Sequence, residues 1–239
     1  GPWATVGFGC AIGLAALVTT LIVMIIFIVI RMASDSTFNP LQFVSTLGDN
    51  GLFLSFSTFA STIVCVGLIA LIIKVRRGAT ISEYLGIRTI TRETVFVLLA
   101  VSIGLIIVSD SLSFILEKSL NSEWMVTVYS TSVWPVLIWI ALVIFAPVFE
   151  ETFFRGFLFA GFHRSRIGIV GTIVFTALLW SLLHIQYDIY GITTIFVLGI
   201  LLGIVRFKTG SLWSPLLIHT FVNFIATLQV AININSLVG

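Results

Sequence analysis

Pro147-Val148-Phe149-Glu150-Glu151-Thr152-Phe153-Phe154-Arg155 places two carboxylates and a guanidinium inside an apolar run. Val133 to Phe149 on one side and Gly156 to Phe162 on the other are almost wholly hydrophobic, so the charges fall in the interior of a helical segment. A carboxylate near the middle of a spanning helix costs roughly 2.5–3.5 kcal/mol on insertion scales, so such a residue faces a bundle interior or a wet cavity. Glu151 and Arg155 are four residues apart, acid first, and share a helical face. Glu150 points about 100° away. This division gives Glu151 a partner and leaves Glu150 for chemistry, or else all three form one structural ion-pair network.

Bulk composition extends the reading. Of 239 residues, 59% are hydrophobic and 9% charged, and the mean hydropathy is +1.18, which excludes an ordinary soluble domain. The apolar runs are continuous, with room for roughly seven spans of about 20 residues, and lack the alternation of an outer-membrane barrel. The expected fold is all-α, a polytopic transmembrane helical bundle of about seven spanning helices. A net charge of +2 indicates no nucleic-acid surface. Cys10 and Cys65 lie in hydrophobic runs and read as packing residues, without a disulfide or metal framework. Gly1-Pro2 reads as a scar of tag removal.

Outward from the motif, the expected segments run from about Trp3 to Ile30, Leu52 to Ile73, Val95 to Leu116, Val133 to His163, Ile167 to Tyr187, Ile189 to Val205, and Leu212 toward Val238. Pro147 is the expected bend in the fourth. Gly9 with Gly13, and Gly199 with Gly203, offer close-packing faces. Between Gly78 and Glu93, spaced apolar residues suggest a short amphipathic element at the headgroups or a basic loop. With a cytoplasmic amino terminus, Lys74, Arg76, Arg77, Arg88, Arg92, Arg164, Arg166, Arg206 and Lys208 fall inside, against Arg31 and Lys118 outside. Residues 1–130 then hold amino-terminal transmembrane helices and a basic cytoplasmic loop, and residues 131–239 a transmembrane core built around the motif, within a single integral-membrane domain.

Three further polar groups stand where lipid-facing side chains should be apolar: His184, His219 and Asn223. The last two are four apart on one face. A carboxylate and an imidazole can orient and deprotonate water, and an imidazole with an amide can donate to a developing oxyanion, so this set suits hydrolysis. Two histidines and a glutamate could alternatively hold zinc with an open site, although no His-Glu-x-x-His helix is present. No nucleophile-elbow serine pattern occurs.

Ala146-Pro147-Val148-Phe149-Glu150-Glu151-Thr152-Phe153-Phe154-Arg155-Gly156 resembles the Glu-Glu-x-x-x-Arg motif of the CAAX-protease and bacteriocin-processing (CPBP, or Abi) intramembrane proteases. Trp180-Ser181-Leu182-Leu183-His184 resembles their aromatic-x-x-x-His motif, and the stretch Thr209 to Asn223, ending His219-Thr220-Phe221-Val222-Asn223, their His-x-x-x-Asn motif. Glu83-Tyr84-Leu85-Gly86-Ile87-Arg88 is also similar to the family. The resemblance implies that Glu150 with His184 activates a hydrolytic water, that His219 and Asn223 form the oxyanion hole, and that Glu151 and Arg155 support the motif helix. Trp180 stands where the family commonly has Phe. No cofactor is implied, with zinc the alternative.

The expected activity is cleavage of a membrane-associated peptide or protein within the bilayer. A catalytically silent immunity or regulatory partner of the same family, or a transporter using the same charges, are the alternatives; no internal transporter-type repeat is visible. Short loops point to the cytoplasmic membrane of a prokaryote, and nothing in the sequence sets an oligomeric state. One mismatch follows from the expected boundaries. His184 lies roughly 25 Å along its segment but His219 only about 10 Å along its own, so straight helices would not bring them together.

Overall fold

The computed structural model describes residues 1–76, 78–119 and 122–238, without the side chains of 235–238. Its helices are α1 (Pro2–Ser34), α2 (Pro40–Thr46), α3 (Gly51–Val75), α4 (Ile81–Leu85), α5 (Arg92–Ile115), α6 (Glu123–Ser130), α7 (Pro135–Phe162), α8 (Gly168–Leu182), α9 (Ile189–Thr209) and α10 (Trp213–Val238). No strand occurs among the described residues. A lipid environment explains the choice, since backbone groups there are satisfied only within helices or closed barrels.

Six of these helices, α1, α3, α5, α7, α9 and α10, are long and apolar enough to cross a membrane. The fifth expected segment, Ile167 to Tyr187, is α8, whose 15 residues rise only about 22 Å, less than a hydrocarbon core of about 30 Å. It ends at Leu182 instead of continuing to Tyr187. The N–H groups of Leu183, His184 and Tyr187 turn back to the carbonyls of Trp180, Ser181 and His184. Arg77, placed at the inner end of the second expected segment, lies outside the described residues.

The polar stretch after α3 is a built element. Thr80 caps α4 by accepting from the Glu83 N–H, and Glu83 reaches back to the Thr80 N–H, a reciprocal capping box. Those contacts from the Thr80 backbone and hydroxyl hold the Glu83 carboxyl below the usual carboxylate range. Gly86 closes the helix at φ 71°, a left-handed conformation that glycine adopts without a Cβ clash.

This element lies over the turn between α9 and α10. Leu212 N–H donates to the Gly86 carbonyl at 2.8 Å, the Ser211 hydroxyl donates to the Arg88 carbonyl at 2.5 Å, and Leu85, Ser211 and Leu212 are buried. A Cβ on Gly156 of α7 would meet Leu85 at 2.9 Å and Leu212 at 3.7 Å, which puts Gly156 and Leu212 level with each other. From that level, Glu150 is six residues and His219 seven residues along their helices, or roughly 9 and 10 Å. The depth mismatch therefore has two solutions in one fold: α10 starts below the 81–88 element, and α8 breaks before His184.

Close packing between α8 and α9 uses the predicted glycines. A Cβ on Gly199 would meet Ala177 Cβ at 2.9 Å, and one on Gly203 would meet Ile173 at 3.0 Å. The expected Gly9 and Gly13 face is only half used: Gly9 approaches Leu158, whereas Gly13 meets nothing within 4 Å. Close approach of α1 to α7 falls instead at Gly161, where a Cβ would come within 2.2 Å of the Thr5 hydroxyl oxygen.

Candidate active site

Helix α7 carries its two acids between two π-helical stretches, Ala141–Phe145 and Thr152–Leu158, the second of which contains Arg155. The first follows from Pro147. In the widened turn the Ala146 N–H donates to the Ala141 carbonyl, and the corresponding donor for the Leu142 carbonyl would be residue 147, a proline without an N–H. Asn223 supplies the missing hydrogen bond, Nδ2 to the Leu142 carbonyl at 2.8 Å. One amide hydrogen of Asn223 is thereby committed to α7, and its second remains for another acceptor. Pro147, where a bend was expected, stands just after this π turn, and the Asn223 bond there ties α7 to α10.

The two acids of the motif separate as their spacing required. Glu151 is fully buried, and its Oε1 accepts from Arg155 Nη1 at 2.9 Å. The same oxygen is 2.8 Å from His219 Nδ1, a contact between α7 and α10 that spacing along one helix could not reveal. Arg155 is also fully buried; its Nη2 donates to the Gly199 carbonyl at 3.2 Å and its guanidinium lies 4.5 Å from the centroid of the Trp180 ring. Arg206, assigned by sequence to a cytoplasmic turn, lies within α9 and is itself buried, donating from Nε to the Arg155 carbonyl at 3.0 Å and from Nη2 to the Leu85 carbonyl at 3.2 Å.

Glu150 is partly accessible, with 22% of its side chain exposed, so unlike Glu151 it can meet water. Its Oε2 accepts a short hydrogen bond from the Trp180 indole Nε1–H and stands 3.8 Å from His219 Nε2. His219 therefore lies between the two motif carboxylates. With Glu151 ionised, the proton sits on Nδ1, and donation from Nε2 uses the imidazolium, in which both nitrogens carry hydrogen.

His184, just beyond the end of α8, directs Nδ1 to the Trp180 carbonyl at 2.8 Å. A neutral ring donating from Nδ1 keeps its Nε2 lone pair for a proton. The Trp180 ring packs edge-on between the two imidazoles, with centroids 5.2 Å from His184 and 5.1 Å from His219. Glu150, His184, His219 and Asn223 all line one cavity of about 930 Å³. The four predicted site residues thus converge, from α7, the turn after α8, and α10.

Three further groups in this region were not singled out by sequence as part of a site: the indole N–H of Trp180, read there only as the aromatic of its motif; Arg206, read as a cytoplasmic basic residue; and Asp110, a carboxylate of α5 that lines the same cavity. An acid inside an apolar run was the available signal for Asp110. Among the described residues, no group of three or more His, Cys, Asp and Glu side chains is placed to hold a metal ion.

No curated protein and no solved structure matches the chain. Residues 132–225, which span the motif helix, α8, α9 and the His219 to Asn223 stretch, match the family model described as type II CAAX prenyl endopeptidase Rce1-like. Set in an all-α bundle with six helices suited to crossing a membrane, residues 132–225 are an Rce1-like domain of the CAAX prenyl endopeptidase (CPBP) family, a family of proteases.

Proposed function

We propose that the protein is an intramembrane endopeptidase that hydrolyses a peptide bond in a membrane-associated peptide or protein, with Glu150 and His184 activating water and without a metal. The observation that carries this reading is the convergence of Glu150, His184, His219 and Asn223 on one cavity inside a protease-family domain. Water entering the cavity gives a proton to Glu150, which is positioned with His184, while its oxygen bonds to the scissile carbonyl carbon. Negative charge then collects on the carbonyl oxygen, where His219 Nε2–H and the second amide hydrogen of Asn223 donate to it. Collapse of the tetrahedral intermediate breaks the carbon–nitrogen bond, and the stored proton goes to the leaving amine. Glu151, Arg155 and Arg206 keep α7, α9 and α10 in register.

The reading is tested on membrane peptides that accumulate in cells carrying Glu150→Gln in place of the wild-type protein. Purified wild-type protein cuts those peptides at full rate in the presence of a chelator. Loss of cleavage on chelation, restored by zinc, would replace the metal-free mechanism; an unchanged peptide population would remove the proteolytic assignment.

The same reading includes a cytoplasmic amino terminus in the cytoplasmic membrane of a prokaryote, supported by the basic residues at one end of the bundle. The cavity extends to Gly48, Lys118, Trp124 and Gln186, which lie at the opposite end. In this orientation the cavity opens away from the cytoplasm. Single cysteines at Gly48 and Ala79 in intact cells check it: an impermeant thiol reagent labels position 48 and not position 79, and the reverse pattern inverts the topology.

A further inference from the structure

We infer that Asp110 forms a subsite for a basic side chain, Lys or Arg, of the peptide substrate, three to five residues from the scissile bond. The inference rests on the proteolytic reading and adds the substrate chemistry to it. Asp110 lies in α5, an apolar spanning helix, and lines the cavity that also holds Glu150. Among the described residues it takes one hydrogen bond, from the neutral amide of Gln229, Nε2 to Oδ2 at 2.9 Å. The nearest base along the chain, Lys118, is paired with Asp188 at 3.5 Å.

A spanning-helix carboxylate that faces a cavity and has only an amide for company lacks the cation that would offset its cost of insertion. The cavity lining carries the charged Lys118, Glu123, Glu150 and Asp188 as well as neutral polar groups. Ser113, one turn along the same face, shares a hydrogen bond of 2.9 Å with the Tyr190 hydroxyl, and Thr194 and Thr227 line the same cavity. A carboxylate bonded to a neutral amide recognises an ammonium or guanidinium through charge-assisted hydrogen bonds.

The position is fixed by α10, which carries both the proposed oxyanion donors and Gln229. Gln229 lies six residues beyond Asn223 and ten beyond His219, or roughly 9 and 15 Å along the axis. An extended peptide advances about 3.3–3.6 Å per residue, so roughly three to five residues cover that distance.

The test uses full-length protein in lipid nanodiscs and a synthetic apolar membrane peptide, with one Lys, or a Gln control, moved through the six positions on each side of its central bond. Wild-type kcat/KM is expected to be roughly tenfold higher for Lys than for Gln at one of the third to fifth positions, the worth of a charged hydrogen bond. Asp110→Asn keeps an acceptor for Gln229; it is expected to abolish the Lys preference while leaving turnover of the Gln peptides within about twofold. Asp110→Lys moves the preference to Glu at that position. Persistence of the Lys preference in Asp110→Asn overturns the subsite. Binding of the same peptides to Glu150→Gln protein separates the two readings. Lys-selective binding that Asp110→Asn removes, together with no cleavage by the wild type, keeps the subsite and sinks the protease; equal binding of Lys and Gln peptides sinks the subsite.

Discussion

Purified Glu150→Gln protein is expected to retain its fold and lose cleavage by a factor of about 10²–10⁴, the range that a positioned general base contributes. The substitution keeps size and an oxygen for the Trp180 indole N–H, so thermal unfolding in detergent should coincide with that of the wild type. What it removes is the ability to take a proton from water. Trp180→Phe supplies a graded companion. It retains the aromatic wall between His184 and His219 and deletes only the donor to Glu150, so kcat falls by about an order of magnitude with little change in KM. Single-turnover assays on one peptide measure both variants. Wild-type turnover in Glu150→Gln would remove this carboxylate from the mechanism, and an effect of Trp180→Phe on KM alone would assign the indole to substrate binding.

The second large effect is on stability. Arg155→Met leaves the Glu151 carboxylate buried with His219 alone, and breaking a buried ion pair from one side costs about 3–5 kcal/mol. The loss includes the Arg155 hydrogen bond to Gly199 and its stacking over Trp180. In Glu151→Gln with Arg155→Met the uncompensated charge is gone, so the double variant should recover part of the lost stability. Reversible unfolding in mixed micelles measures the cycle. Equal stability of Arg155→Met and wild type would show that Glu151 does not depend on this guanidinium.

These effects separate what is local from what is not. The Glu151 and Arg155 pair was legible because residues four apart on a helix must share a face, and the apolar runs around it specified a helical membrane protein. The close packing at Gly199 and Gly203 was legible for the same reason. The break before His184 was not, because no proline or glycine stands between Leu182 and Tyr187, and Leu183 and Ile185 carry the apolar pattern past the helix end. The depth of His219 depended on the 81–88 element covering the turn before α10, a contact between segments more than a hundred residues apart.

The amino-acid sequence by itself determined that the chain is an all-helical membrane bundle, that Glu150 and Glu151 face different ways, and that His184, His219 and Asn223 are polar groups in apolar stretches. Only the tertiary structure decided that His219 stands between the two glutamates, that Trp180 donates to Glu150, that Asn223 fills the hydrogen bond Pro147 leaves open, and that Asp110 shares the cavity. The reason is physical. Helical spacing fixes neighbours within a turn or two, whereas partners on different helices are set by where each helix starts, widens or stops.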